Sequence, residues 1–148
     1  MIKEKKIDVI VEMDTDLSSH PKELPKNIKF FKKEKLDLLI MSRYLPGSKI
    51  INWPLRRRIF SFFSNKLANF LLKANVSDYT MGYRIYSKKA VIQIANNCGK
   101  VGSGFIVLSE ILAELCYNNY KIKDIKTTFI NREKGDSTVG FKLIYESL

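Results

Sequence analysis

The run Ile7-Asp8-Val9-Ile10-Val11-Glu12-Met13 is mostly apolar and ends directly in Asp14-Thr15-Asp16. A short apolar run bounded by polar residues reads as a buried strand. Comparable runs recur at residues 36–41 and 122–130, separated by segments with apolar residues at three- and four-residue spacing. Strands alternating with helical segments predict an α/β domain. At 148 residues the chain has the length of a single domain able to bury a core.

Local signals place the elements in between. Pro25 opens a short helix with Leu24, Ile28 and Phe31 on its apolar face. Pro46-Gly47 marks a turn. Asn52 is the expected N-cap, with Pro54 in the first turn, of a long helix reaching about Ala74. A short strand is expected at 83–86, and Ser87 should cap a helix over 88–97 that Gly99 helps to stop. A further helix is expected at 105–117 and a closing strand at 122–130. There is no internal repeat, low-complexity tract or linker.

The acidic pair carries the first chemical signal. Carboxylate oxygens are hard ligands, and Mg²⁺ typically takes one or two of them together with phosphate oxygens and waters. In extended backbone, residues two apart point the same way, so Asp14 and Asp16 could converge on one ion. At the carboxyl end of a parallel strand they would face the crevice where α/β sheets bind ligands. Taken alone, Asp-x-Asp more often describes a solvated turn, and the strand pattern before it strengthens the metal reading without settling it.

A net charge of +11 calls for an anionic partner: nucleic acid, a membrane surface or a phosphorylated substrate. No basic motif interleaved with exposed aromatics supports nucleic acid. No apolar run reaches the length of a membrane span. Cys98 and Cys116 lack metal-type spacing and read as reduced thiols. His20, the only histidine, lies beside Pro21 in a loop and reads as solvated, so a histidine base is not expected.

In the long helix, Phe60, Phe63, Leu67, Phe70 and Leu71 recur at helical spacing behind Arg56-Arg57-Arg58. One reading is an ordinary helix facing the core. The other is an interfacial helix, with aromatics at the acyl boundary and arginines at the headgroups. Arg57 and Ser61, four apart, share a face and could cradle a phosphate monoester.

Five segments occur in order: 13–21 around Asp14-Thr15-Asp16, Ser42-Arg43-Tyr44, Asn52-Trp53-Pro54-Leu55-Arg56-Arg57 with Ser61, Ser77-Asp78-Tyr79-Thr80-Met81-Gly82-Tyr83-Arg84, and Arg132-Glu133-Lys134-Gly135-Asp136-Ser137. Together they resemble the dolichol-phosphate (polyprenol-phosphate) mannosyltransferases of glycosyltransferase family 2. The resemblance covers nearly the whole chain. It implies a GT-A (Rossmann-like) α/β domain and transfer of mannose, with inversion, from GDP-mannose to dolichol or polyprenol phosphate at the cytosolic membrane face.

Residue by residue, it implies that Asp14 and Asp16 hold Mg²⁺ or Mn²⁺ against the donor diphosphate. Arg43, Arg57, Ser61 and Arg132 match positions that engage the acceptor phosphate. Asp78 and Arg84 match a motif shaping the acceptor side, by direct contact or by holding a turn. Glu110 matches a late helix glutamate of open role. Three departures touch the acceptor side: Met41 and Met81 stand where the family usually has glycine and Thr-Ser-Gly, and Thr138 stands where it usually has lysine.

The family's opening strands and helices, which bind the nucleotide base and ribose, would precede Ile7, so the expectation is an N-terminally truncated domain: a misplaced start, a split gene, or a chain that needs a complementary fragment such as a separately encoded N-terminal half. The competing reading is a non-catalytic module that binds a membrane surface. A related hexosyltransferase using another sugar is the third.

Overall fold

The computed structural model describes residues 7–16, 18–100 and 105–131. Strands β1 (Val9–Glu12), β2 (Leu38–Ser42), β4 (Arg84–Ser87) and β5 (Ile122–Lys126) form one sheet in the order β1-β4-β2-β5. The strands β3 (Lys49–Ile51) and β6 (Thr128–Ile130) form a second, parallel pair. Helices α1 (Leu24–Glu34), α2 (Leu55–Leu72), α3 (Lys88–Asn97) and α4 (Phe105–Tyr117) complete the fold, with a 3-10 turn (Pro21–Glu23) ahead of α1.

The central strand β2 is buried along its whole length, as a strand covered on both faces must be. Leu38, Leu39, Ile40 and Met41 form the middle of the core, joined by Phe31, Tyr83, Ile85, Ala90, Leu112 and Leu115. Asp37 staples the entrance to β2. Its side chain accepts hydrogen bonds from Ser87 Oγ at 3.0 Å and Lys121 N–H at 3.0 Å, and pairs with Lys89 Nζ at 2.9 Å.

The expected elements are present, with four differences. β1 runs antiparallel to β4, Glu12 opposite Arg84, rather than beside a parallel strand. Its carboxyl end therefore meets the loop that leads into β4. The closing run at 122–130 is two strands. Buried Thr127 separates them, donating to Ser42 O at 3.3 Å and accepting from Lys49 N–H at 3.0 Å, so the chain passes from β2 to β3. The turn at Pro46 and Gly47 (φ 87°) inserts more residues between β2 and β3 than Thr127 inserts between β5 and β6, and one continuous ladder cannot form. The strand β3, read from sequence only as the region after a turn, is the third difference.

The fourth is the start of α2. Asn52 is not its cap: it takes a left-handed conformation (φ 55°), and Pro54 occupies the N-cap position, its carbonyl accepting Arg58 N–H at 3.1 Å. A residue before proline is driven out of the helical region, so Trp53 cannot belong to the first turn. Ser87 does cap α3, accepting from Ala90 N–H at 3.2 Å.

Candidate acceptor and metal site

Asp14 and Asp16 emerge from β1 as exposed side chains on the loop that follows it. Asp16 Oδ1 accepts Ser18 N–H at 2.9 Å, which orients that carboxylate within the turn. Because β1 is antiparallel to β4, Asp14 lies against Gly82. A Cβ placed on Gly82 would sit 3.4 Å from Asp14 Oδ1 and 3.5 Å from Oδ2. Two exposed carboxylates, one with Oδ2 outside the Ser18 bond, fit a hard divalent cation that completes its shell with phosphate and water. No third carboxylate, histidine or thiol joins them into a larger ligand cluster among the described residues.

Beside this loop lies a buried ion pair. Arg43 Nε reaches Asp78 Oδ2 at 2.8 Å and Nη2 reaches Asp78 Oδ1 at 2.8 Å, the two-pronged geometry that only a guanidinium provides. Arg43 N–H also donates to Asp78 Oδ2 at 3.1 Å, and Nη2 donates to Thr80 Oγ1 at 2.7 Å. The guanidinium carbon lies 4.9 Å from the Trp53 ring centre, 5.4 Å from Phe129 and 5.5 Å from Tyr44. Burial pulls the Arg43 pKa down, but the charge and hydrogen bonds of Asp78, with smaller help from Tyr44 and Asp14, outweigh it and leave it raised. Arg43 is thus held by protein partners; Nη1 is the nitrogen that these bonds do not use.

Helix α2 lies inside out. The positions that face the protein are mostly polar or small, Arg57, Ser61, Ser64, Asn65 and Ala68: buried Asn65 accepts Tyr79 N–H and donates to Ser61 O at 2.8 Å, and Asn69 Oδ1 at the edge of this face accepts Tyr79 Oη at 3.1 Å. Its apolar positions face out. Leu55, Phe63, Phe70 and Leu71 are 65–77% exposed, and Ile59, Phe60, Phe62 and Leu67 are exposed with them. This reverses the usual pattern of a helix on a globular core. Arg56 and Arg58 are exposed and Arg57 half-buried at its amino end. Ser61 lies near Tyr44, whose ring meets Phe62 edge-on at 5.9 Å. The Tyr44 hydroxyl is enclosed without a hydrogen-bond partner of good geometry among the described residues, and burial pushes its pKa up against the pull of Ser61, Arg43 and Arg58.

The structure therefore brings Asp14, Arg43 and Asp78 together, with Ser61 approaching through Tyr44. Arg84 stands apart as a structural group. Fully buried, it donates to Met81 O at 2.8 Å, Tyr79 O at 2.7 Å and Leu108 O at 3.0 Å, tying the 79–81 loop to α4. Glu110 lies on α4 away from this group, its Oε2 accepting Gly99 N–H at 2.9 Å beside a cavity of about 600 Å³ between the carboxyl ends of α2, α3 and α4. Arg132 lies outside the described residues.

In the sequence Trp53 and Tyr44 stand only as parts of motifs; in the structure they are walls around Arg43. The only tryptophan of the chain, set before a proline, was the available signal.

Residues 2–95 match the model of Glycosyl transferase family 2. The chain is 32% identical over 146 residues to an undecaprenyl-phosphate mannosyltransferase of Micrococcus luteus, covering 98% of this chain and 58% of that protein. It is also 32% identical over 140 residues to a polyprenol monophosphomannose synthase of Mycolicibacterium smegmatis, covering 95% of this chain and 52% of that protein. The chain spans a little over half the length of these curated relatives. The mixed sheet with its helices is of the GT-A, Rossmann-like type. On the match over residues 2–95, this chain belongs to glycosyl transferase family 2.

Proposed function

We propose that this chain supplies the metal loop and acceptor side of an enzyme that moves mannose from GDP-mannose to a polyprenol or dolichol phosphate. The observation that carries the reading is the meeting, at one end of the sheet, of the Asp14 loop, the Arg43–Asp78 clamp and an inside-out helix with arginines at its start. An acceptor made of a phosphate on a long apolar chain needs these features side by side. The two relatives, named for undecaprenyl phosphate and polyprenol monophosphomannose, support the same acceptor class.

In the proposed reaction an oxygen of the lipid phosphate attacks the anomeric carbon of mannose as the bond to the GDP β-phosphate breaks. The leaving electron pair passes to GDP, and the anomeric centre inverts. The attacking oxygen is already anionic near neutral pH, so no protein base is needed, and the solvated position of His20 is compatible with that. Asp14 and Asp16 would hold Mg²⁺ or Mn²⁺, which supplies positive charge against the departing diphosphate. Arg57 and Ser61, on the amino half of α2, would hold the acceptor phosphate, with Arg132 as a further cation. Arg43 would act through Nη1 and through the shape it gives Tyr44 and Trp53. The outward face of α2 would enter the acyl boundary of the cytosolic membrane leaflet.

The test is transfer from GDP-mannose to polyprenol phosphate by the full-length protein. Asp16→Asn should abolish metal-dependent transfer while the circular dichroism spectrum stays unchanged, and near-normal turnover would sink the metal assignment. Transfer from a different nucleotide sugar would keep the chemistry and correct the sugar. Vesicle binding without any transfer would favour a second reading, a membrane-surface module, which the outward apolar face of α2 supports independently.

A further inference from the structure

A chain of hydrogen bonds runs from β5 into the Arg43 loop, and its direction is set by counting protons. Asp124 Oδ2 accepts both Ser77 N–H at 2.7 Å and Ser77 Oγ–H at 2.6 Å. That uses the one hydroxyl proton of Ser77. The 2.6 Å contact between Ser77 Oγ and Ser42 Oγ must then be a donation from Ser42. Ser42 Oγ in turn accepts Tyr44 N–H at 3.0 Å. Every member therefore points its donor toward the Asp124 carboxylate, and hydrogen bonds ending on a charge are shorter and stronger than neutral ones.

The residues that follow the two serines of this chain are the ion pair itself. Ser77 precedes Asp78, and Ser42 precedes Arg43. Asp124 lies opposite Ile40 in the parallel β2–β5 pairing, two residues before Ser42. It therefore anchors two loops, 77–80 and 42–44, to the same rung of the sheet.

We propose that Asp124 is a positioning residue for the acceptor side. Through Ser77 and Ser42 it sets where the Arg43–Asp78 clamp and the Tyr44 backbone stand relative to α2, while touching neither donor nor acceptor. This rests on the acceptor reading given above. A merely structural carboxylate would lower stability and damage donor and acceptor use alike. A positioning one acts on the acceptor selectively.

The test compares the full-length wild type with Asp124→Ala, Asp124→Asn and Ser42→Ala by two readouts. The first needs no activity: amide hydrogen exchange at Tyr44 and Ser77, with the Arg43 Nε–H resonance followed as farnesyl phosphate is added. Asp124→Ala should release both amides and shift the Arg43 signal. Asp124→Asn, which keeps an acceptor oxygen, should fall in between. Unchanged protection in Asp124→Ala would overturn the relay, and if that variant does not fold, Ser42→Ala, which cuts the chain at its middle, decides in its place. The second readout is kinetic. The acceptor KM should rise about tenfold while the donor KM stays within about twofold, and the Asp124→Ala and Ser42→Ala effects should not add, since both cut one chain. Equal losses for donor and acceptor would overturn the positioning role. If wild-type Arg43 ignores farnesyl phosphate and no transfer occurs, the acceptor reading fails, whereas the relay still stands or falls on the exchange data.

Discussion

If the outer face of α2 meets a membrane rather than a core, replacing Phe63 and Phe70 by serine should leave the fold intact and weaken membrane binding. The two rings lie seven residues apart on one face and are 65% and 77% exposed, and Phe62 is spared because it touches Tyr44. Fully burying a phenylalanine is worth about 1.5–3 kcal/mol, so covering the exposed fraction of both rings contributes about 2–4 kcal/mol. Partitioning to vesicles should thus fall by about 30- to 1000-fold. The assay is sedimentation with vesicles of anionic and of neutral phospholipid, with circular dichroism and a thermal melt as checks on folding. Exposed Arg56 and Arg58 should add a salt-sensitive part, about 1 kcal/mol each, seen only with the anionic vesicles. If α2 instead packed these rings into a core, each truncation would cost about 3–5 kcal/mol of stability and the double variant would unfold. Unfolding, or unchanged partitioning of a folded variant, would refute the reasoning.

Three further outcomes are expected. Asp78→Ala strands the buried Arg43 charge and should cost about 3–5 kcal/mol in a urea titration; Arg43→Lys should also be costly, since an ammonium cannot span both carboxylate oxygens, and a loss below about 1 kcal/mol in both would contradict the clamp. Gly82→Ala places a methyl 3.4 Å from Asp14 Oδ1, an ordinary van der Waals contact, so the thermal melt should stay close to that of the wild type, and a large loss of stability would contradict the packing of Asp14 against Gly82. Burial, reinforced by Glu110 and Glu114, pushes the Cys98 thiol up to about 11. At pH 8 its thiolate fraction is then on the order of one in a thousand, and iodoacetamide labelling read by mass spectrometry should be far slower than for a free thiol. The same shift favours the folded state fully below pH 9, the ordinary thiol value, and this contribution is lost as pH climbs from 9 toward about 11.

Much of the fold could be read from local pattern. The run at 36–41 is uniformly apolar because β2 is covered on both faces, and Ser87 announced the start of α3 because a serine hydroxyl satisfies an end amide. Asp14 and Asp16 were visible because they follow an apolar strand, and the order of five motifs pointed to the family that the match over residues 2–95 bears out. What stayed hidden depends on distant partners. Arg43 reads as a free cation until Asp78, 35 residues away, is seen to hold two of its nitrogens. Asp124 had no local mark at all, because its hydrogen bonds span 47 residues.

The sequence by itself determined that α2 has one apolar and one polar side, since periodicity records that two faces differ. Only the tertiary structure decided which side meets the protein. Asn65 and Asn69 find Tyr79, and that pairing turns the phenylalanines outward. Likewise the apolar run before Asp14 determined a strand, but not its neighbour. Pairing with β4 in antiparallel sense is what sets the Asp14 carboxylate against Gly82, because strand direction depends on contacts that no local pattern encodes.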